Sequence, residues 1–140
     1  LLDDQGVLNQ LDWPVLTRHT QRGPARLLDG AEVSDSLVSP GCTIAGRVER
    51  SVLGPGVRVD AGARVTDSVV FADTVVETGA VVARSIVDQD CLVGPGARVG
   101  DDRDDVERSE SICLVGRDSV LGPGTAVGAG ARLEPGSALR

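Results

Sequence analysis

Aliphatic residues in this chain recur every sixth position, not every second position or along a helical stripe. Leu53, Val59 and Val65 are followed by Val70, Val76 and Val82, then by Val87, Val93 and Val99, each row seventeen residues beyond the last. Two positions before these aliphatics stand mostly short side chains: Ser51, Val57, Ala63, Ser68, Thr74, Ala80, Ser85, Cys91 and Ala97. After an interruption the beat resumes as Val115, Leu121, Val127, Leu133 and Leu139, with Ser119, Thr125, Ala131 and Ser137 two positions before the last four. A half-buried strand alternates with period two and a surface helix repeats near 3.6, so neither accounts for a period of six. One large and one small inward residue per unit describe a short flat strand and a corner. Three units close a triangular coil, and stacked coils form parallel ladders about 4.8 Å apart. The pattern predicts an all-β fold, a left-handed parallel β-helix of hexapeptide repeats with roughly six coils, an exception to the usual right-handed crossover.

The corners agree. Ser39-Pro40-Gly41, Gly54-Pro55-Gly56, Gly94-Pro95-Gly96, Gly122-Pro123-Gly124 and Glu134-Pro135-Gly136 each follow an aliphatic, where the chain must turn. Proline presets φ and donates no ladder hydrogen bond there, and glycine accepts positive φ. An extended linker is expected over residues 1–30 and the β-helix over 31–140, with a charged loop at 100–110. That loop, "GDDRDDVERSE", carries six acids and only Val106 as an aliphatic, so it leaves the tube as a solvated excursion or as a regulatory or subunit contact.

Where rows are spaced by five, the residues just before the inward aliphatics are Leu37, Val52, Val69, Ile86 and Ile112, each following a serine. Stacked in one column, they predict an outward aliphatic stripe of a few hundred Å², a size that signals an interface. The expected cover is another domain, the N-terminal segment or a second subunit.

Composition narrows the core and the function. One Phe, one Trp and no Tyr or Met leave a slim interior of Val, Leu, Ile, Ala and Cys. Acids outnumber bases 21 to 14, every base is arginine, and the net charge of −7 argues against nucleic acid or an anionic membrane as partner. With neither a leader nor a long apolar span legible, the expected location is cytoplasmic. Hexapeptide coils host acyltransferases, which need a histidine base, and zinc enzymes with three histidines, but the one histidine here, His19, precedes the coils. No catalytic residue, metal or cofactor is therefore expected in this chain. Cys42 and Cys91 share a column about 14 Å apart, beyond disulfide reach, and Cys113 is expected in an inward aliphatic slot. "GAGARLEPG" at 128–136 is faintly like a nucleotide-binding glycine loop, but Val127 and Leu133 keep the beat through it.

Three segments carry a family resemblance. "LDWPV" at 11–15, "PAR" at 24–26 and "DSLVSPGCTIAG" at 35–46 resemble the linker and opening coil of bacterial ADP-glucose pyrophosphorylase (glucose-1-phosphate adenylyltransferase). "RSIVDQDCLVGPGARVG" at 84–100, the acidic interruption and "SESICLVG" follow in the family's order. Arg26 stands for a family lysine and Pro40 for a glycine. The resemblance implies the C-terminal β-helix domain of such an enzyme, which transfers adenylyl from ATP to glucose 1-phosphate for glycogen synthesis. The implied partners are an N-terminal nucleotidyltransferase domain, which would hold the magnesium, and further copies of the chain. It also implies an effector, a phosphorylated sugar or adenine nucleotide, with Arg84 and Arg108 at positions tied to effector phosphate. The alternatives are a stand-alone hexapeptide acyltransferase and a non-catalytic scaffold.

Overall fold

In a computed structural model, which describes residues 21–101 and 111–140, the chain is an all-β, left-handed parallel β-helix. Each coil lays one short strand on each of three sheets, here faces A, B and C in the order the chain visits them. Among the described residues, face A holds seven strands, from Arg26–Leu27 to Ala138–Leu139. Face B holds six, from Glu32–Ser34 to Ala126–Val127, and face C six, from Leu37–Val38 to Arg132–Leu133. All sixteen strand pairings are parallel, and the seventeen-residue offset is visible as Val59 on Val76 on Val93.

The predicted interior is the observed one. Ile44, Val48, Leu53, Val59, Val65, Val70, Val76, Val82, Val87, Val93 and Val99 form one column of buried aliphatics. The short residues two positions earlier are buried with them, among them Ser51, Ala63, Ser68, Thr74, Ala80, Ser85, Cys91 and Ala97. A tube this narrow admits one bulky side chain per wall, which is why rings are excluded from it.

The corners turn by two means. Between faces C and A a longer turn ends in a left-handed residue, Gly56 with φ of +73° after Pro55 in one coil and Asp73 with φ of 58° in the next, and between faces A and B glycine takes that place, as at Gly62 and Gly96 with φ of 74° and 66°. Between faces B and C a single left-handed residue suffices: Asp35, Arg50, Asp67 and Arg84 have φ of 46°, 46°, 47° and 46°. One residue instead of two is what shortens the spacing from six to five. Left-handed conformations are uncommon for residues with a Cβ, so these corners need support from elsewhere.

The serines after them supply it. The Ser68 hydroxyl donates to the Thr66 carbonyl at 2.6 Å and accepts from the Ser85 amide at 3.1 Å. Ser51 repeats this, donating to Glu49 at 2.8 Å and accepting from the Ser68 amide at 3.1 Å. Ser36 does the same, toward Ser34 at 2.7 Å and from the Ser51 amide at 3.1 Å. Each hydroxyl thus closes its own corner and bonds the next coil, so backbone groups that the turn strips of ladder partners stay satisfied.

Two boundaries differ from expectation. Arg26–Leu27 already pairs with Thr43–Ile44, so the coil starts inside the segment expected as linker. The reason is geometric: the first full coil offers an open face A edge, and any preceding extended residues can satisfy it. After the interruption, Cys113 pairs with Ser85 and takes the small position, while Val115 takes the inward aliphatic place on Val87. Cys113 is therefore not in the aliphatic slot.

Candidate functional site

The outward column of face C runs Leu37, Val52, Val69, Ile86, Leu114, Arg132. Four of the five expected stripe residues lie in it, and Ile112 does not. The inserted loop resets the count, and stacking of Val115 on Val87 then puts Leu114 outward in the stripe. Ile112 lies one step before Cys113, level with the Arg84 corner, whose carbonyl accepts from the Cys113 amide at 3.1 Å. Counting back one position from Val115 identifies Leu114 in sequence. Leu37 is 46% exposed and Ile86 38%, while Val52, Val69 and Leu114 are half-buried. Phe71, 48% exposed at the edge of the same face, is an addition that periodicity did not signal, because corner residues fall outside the beat. The stripe's five aliphatic residues span four ladder steps, which make it about 19 Å tall, a patch of a few hundred Å².

Beside the stripe the B–C corner stacks alternating charges, Asp35, Arg50, Asp67 and Arg84. Arg50 grips Asp67 with Nε to Oδ1 at 2.8 Å and Nη2 to Oδ2 at 2.9 Å, and also pairs with Glu49. Hydrogen bonding to the Asp67 carboxylate holds the Arg50 guanidinium well above its ordinary value. Arg84 is half-buried at this corner, its amide donating to Thr66 at 3.1 Å. Arg108 lies outside the described residues, as do His19, Trp13 and most of the charged loop.

The opposite edge of the stripe, the C–A corner, is crossed by the entering chain. Gly23 accepts from the Gly41 amide at 2.7 Å, and Arg22 reaches across to Asp73 with bonds of 2.6 and 2.8 Å. Arg22 lies against Gly41 and Gly56, and a methyl group at Gly56 would overlap its guanidinium. Hydrogen bonding to Arg22 holds the Asp73 carboxyl below its ordinary value. A depressed pKa contributes stability above the unfolded value near about 4, lost as pH falls through the folded one. Asp73→Asn is therefore expected to lower the thermal midpoint slightly at pH 7, and the difference from wild type should shrink as the pH falls below the ordinary carboxylate range. A gap that persists in acid would show that the pair is not the cause.

None of the three cysteines has the setting of a nucleophile. All are free and buried, and burial pushes each thiol up. Cys42 and Cys91 donate weakly to the Gly54 and Gly116 carbonyls at 3.1 and 3.2 Å, as small packed residues do. Among the described residues no three His, Cys, Asp or Glu side chains are grouped to hold a metal, and no helix is long and apolar enough to cross a membrane. The glycine-rich stretch at 128–136 is coil, holding the face C strand Arg132–Leu133.

Comparison with known proteins adds the following. Residues 24–116 match the family described as GlmU-like, C-terminal hexapeptide. A glucose-1-phosphate adenylyltransferase of Streptomyces coelicolor is 56% identical over 57 residues, which are 41% of this chain and 14% of that protein. One from Bacillus cytotoxicus is 42% identical over 72 residues, 50% of this chain and 19% of that protein. The chain thus spans less than a fifth of these relatives. Among solved structures, the acetyltransferase domain of PglB from Neisseria gonorrhoeae FA1090 in complex with acetyl coenzyme A superposes with a TM-score of 0.60. At 19% identity over 83% of this chain and 57% of that one, it shares the fold.

Proposed function

From the premise that this chain belongs to the GlmU-like C-terminal hexapeptide family, we propose that it is the regulatory and assembly domain of an ADP-glucose pyrophosphorylase. In this reading a nucleotidyltransferase domain of the same polypeptide joins ATP to glucose 1-phosphate, releasing pyrophosphate, and holds the magnesium. The β-helix docks against that domain and carries its regulation. The observation that carries the reading is the 56% identity to a glucose-1-phosphate adenylyltransferase over 57 residues.

The aliphatic stripe supports it by its size. A stable interface between free proteins buries about 800 Å² on each side, more than a stripe of a few hundred Å² provides. A domain tethered in the same chain meets that stripe at a millimolar effective concentration, where a small patch is enough. Further copies of the polypeptide would associate through surfaces added by the tethered domain. Arg84 stands at the corner bordering the stripe, so a phosphorylated sugar or adenine nucleotide held there would touch both the docking edge and the tube. The intact polypeptide, supplied with ATP, magnesium and glucose 1-phosphate, is expected to release pyrophosphate, and Arg84→Gln to blunt its response to effector without abolishing the basal rate. Lack of any adenylyl transfer to glucose 1-phosphate overturns this function.

A further inference from the structure

Face B carries a charge pattern that neither the periodicity nor the proposed regulation explains. Its outward column reads Glu32, Arg47, Arg64, Val81, Arg98, Ala126. In a chain of net charge −7, one face stacks three guanidiniums against a single carboxylate. Like charges on adjacent strands repel, so such a column costs stability unless something answers it. Glu32 answers Arg47, accepting from Nε at 2.7 Å. Among the described residues no carboxylate answers Arg64 or Arg98, whereas Arg22, Arg47, Arg50 and Arg58 are all salt-bridged within the chain. Arg64 and Arg98 are exposed and flank Val81, one ladder step to either side, with Cα atoms about 10 Å apart. Two arginine side chains can converge over Val81 from that separation.

Next to Arg98 the face opens into a groove of about 340 Å³, at the small end of ligand sites. Val81, Arg98, Gly100, Asp101, Ala126 and Gly128 line it. A Cβ placed on Gly128 would meet nothing within 4 Å. The floor is small and apolar, and among the described residues no aromatic ring lines it for a nucleobase to stack on; Phe71 sits at the corner opposite face B. Asp101 borders the groove with a carboxylate, an acceptor for hydroxyl groups.

We propose that Arg64, Arg98 and this groove form a binding site for a compact, hydroxylated phosphate monoester. The two guanidinium forks take the phosphate dianion, to which their geometry is matched. The hydroxylated body lies in the groove toward Ala126 and Asp101. This site is on a different face from the apolar stripe and from the Arg84 corner, and it does not depend on what the intact polypeptide catalyses.

The test is a titration of the 140-residue chain with glycerol 3-phosphate at low salt, followed by calorimetry and by amide chemical shifts. Saturable binding is expected, with shifts centred on Val81 and Ala126 and affinity above that for inorganic phosphate. Arg64→Gln and Arg98→Gln, both exposed and harmless to the fold, should each weaken binding about tenfold or more. Arg132→Gln removes a face C arginine that likewise has no carboxylate partner among the described residues, and should leave the affinity within about twofold. Equal losses in all three variants would mean only diffuse attraction to positive charge, and would overturn the site. So would shifts on another face, absence of saturation, or equal affinity for inorganic phosphate and glycerol 3-phosphate. Failure here leaves adenylyl transfer by the intact polypeptide untouched, because that is read by pyrophosphate release.

Discussion

Glutamate at Val70 is expected to prevent folding, while glutamate at its neighbour Val69 leaves a folded tube. The two residues form one strand on face C, Val69 outward between Val52 and Ile86, Val70 inward between Leu53 and Val87. Val70 is 0% exposed, and its position has no polar partner for a carboxylate. Burying an unpaired charge there costs about 4 kcal/mol or more, against a total stability of roughly 5–15 kcal/mol for a domain. Circular dichroism of the Val70→Glu chain should show loss of the cooperative transition. Val69→Glu places its charge at the surface and should change stability by about 1 kcal/mol or less. In the intact polypeptide the same change should loosen the docked domain, seen as faster limited proteolysis between that domain and the tube. If Val69→Glu unfolds the chain as Val70→Glu does, the assignment of inward and outward faces is wrong. If proteolysis is unchanged in a folded Val69→Glu protein, the stripe is not the docking surface.

Ser68→Ala is expected to cost about 2 kcal/mol, far more than loss of one small hydroxyl at a surface. The hydroxyl serves two buried backbone groups at once, the Thr66 carbonyl and the Ser85 amide, in a residue only 3% exposed. Alanine fits the space and satisfies neither, so the penalty is that of stranded polar groups and not of a cavity. Chemical denaturation should show a lower midpoint with an unchanged slope. The control is Ser36→Ala, at the first rung of the ladder and half-buried, which water can partly repair; its loss should be about half as large. Equal effects at both positions would mean that the ladder's bonds are not what supports the left-handed corners.

The inward column, Val59 on Val76 on Val93, was readable because each wall imposes the same size limit at every turn, so the sequence repeats the constraint. Four stripe residues, Leu37, Val52, Val69 and Ile86, were readable for the same reason. Ile112 failed because an insertion breaks the count, and only the resumption at Val115 tells where the register restarts. Phe71 and the Arg22 latch were invisible because corner contacts bring together residues of different coils, Arg22 and Asp73 among them, with no period to announce them.

The amino-acid sequence alone determined the tube: its hexad period, three faces, apolar column and outward stripe all follow from a local size rule applied along one dimension. Tertiary structure decided which outward residues become neighbours. Asp35, Arg50, Asp67 and Arg84 make a charged ladder, and Arg64 and Arg98 flank Val81, only because stacking aligns positions one coil apart. The physical reason is that burial disciplines the inside at every step, whereas the outside is free to vary and gains meaning from the coil above and the coil below.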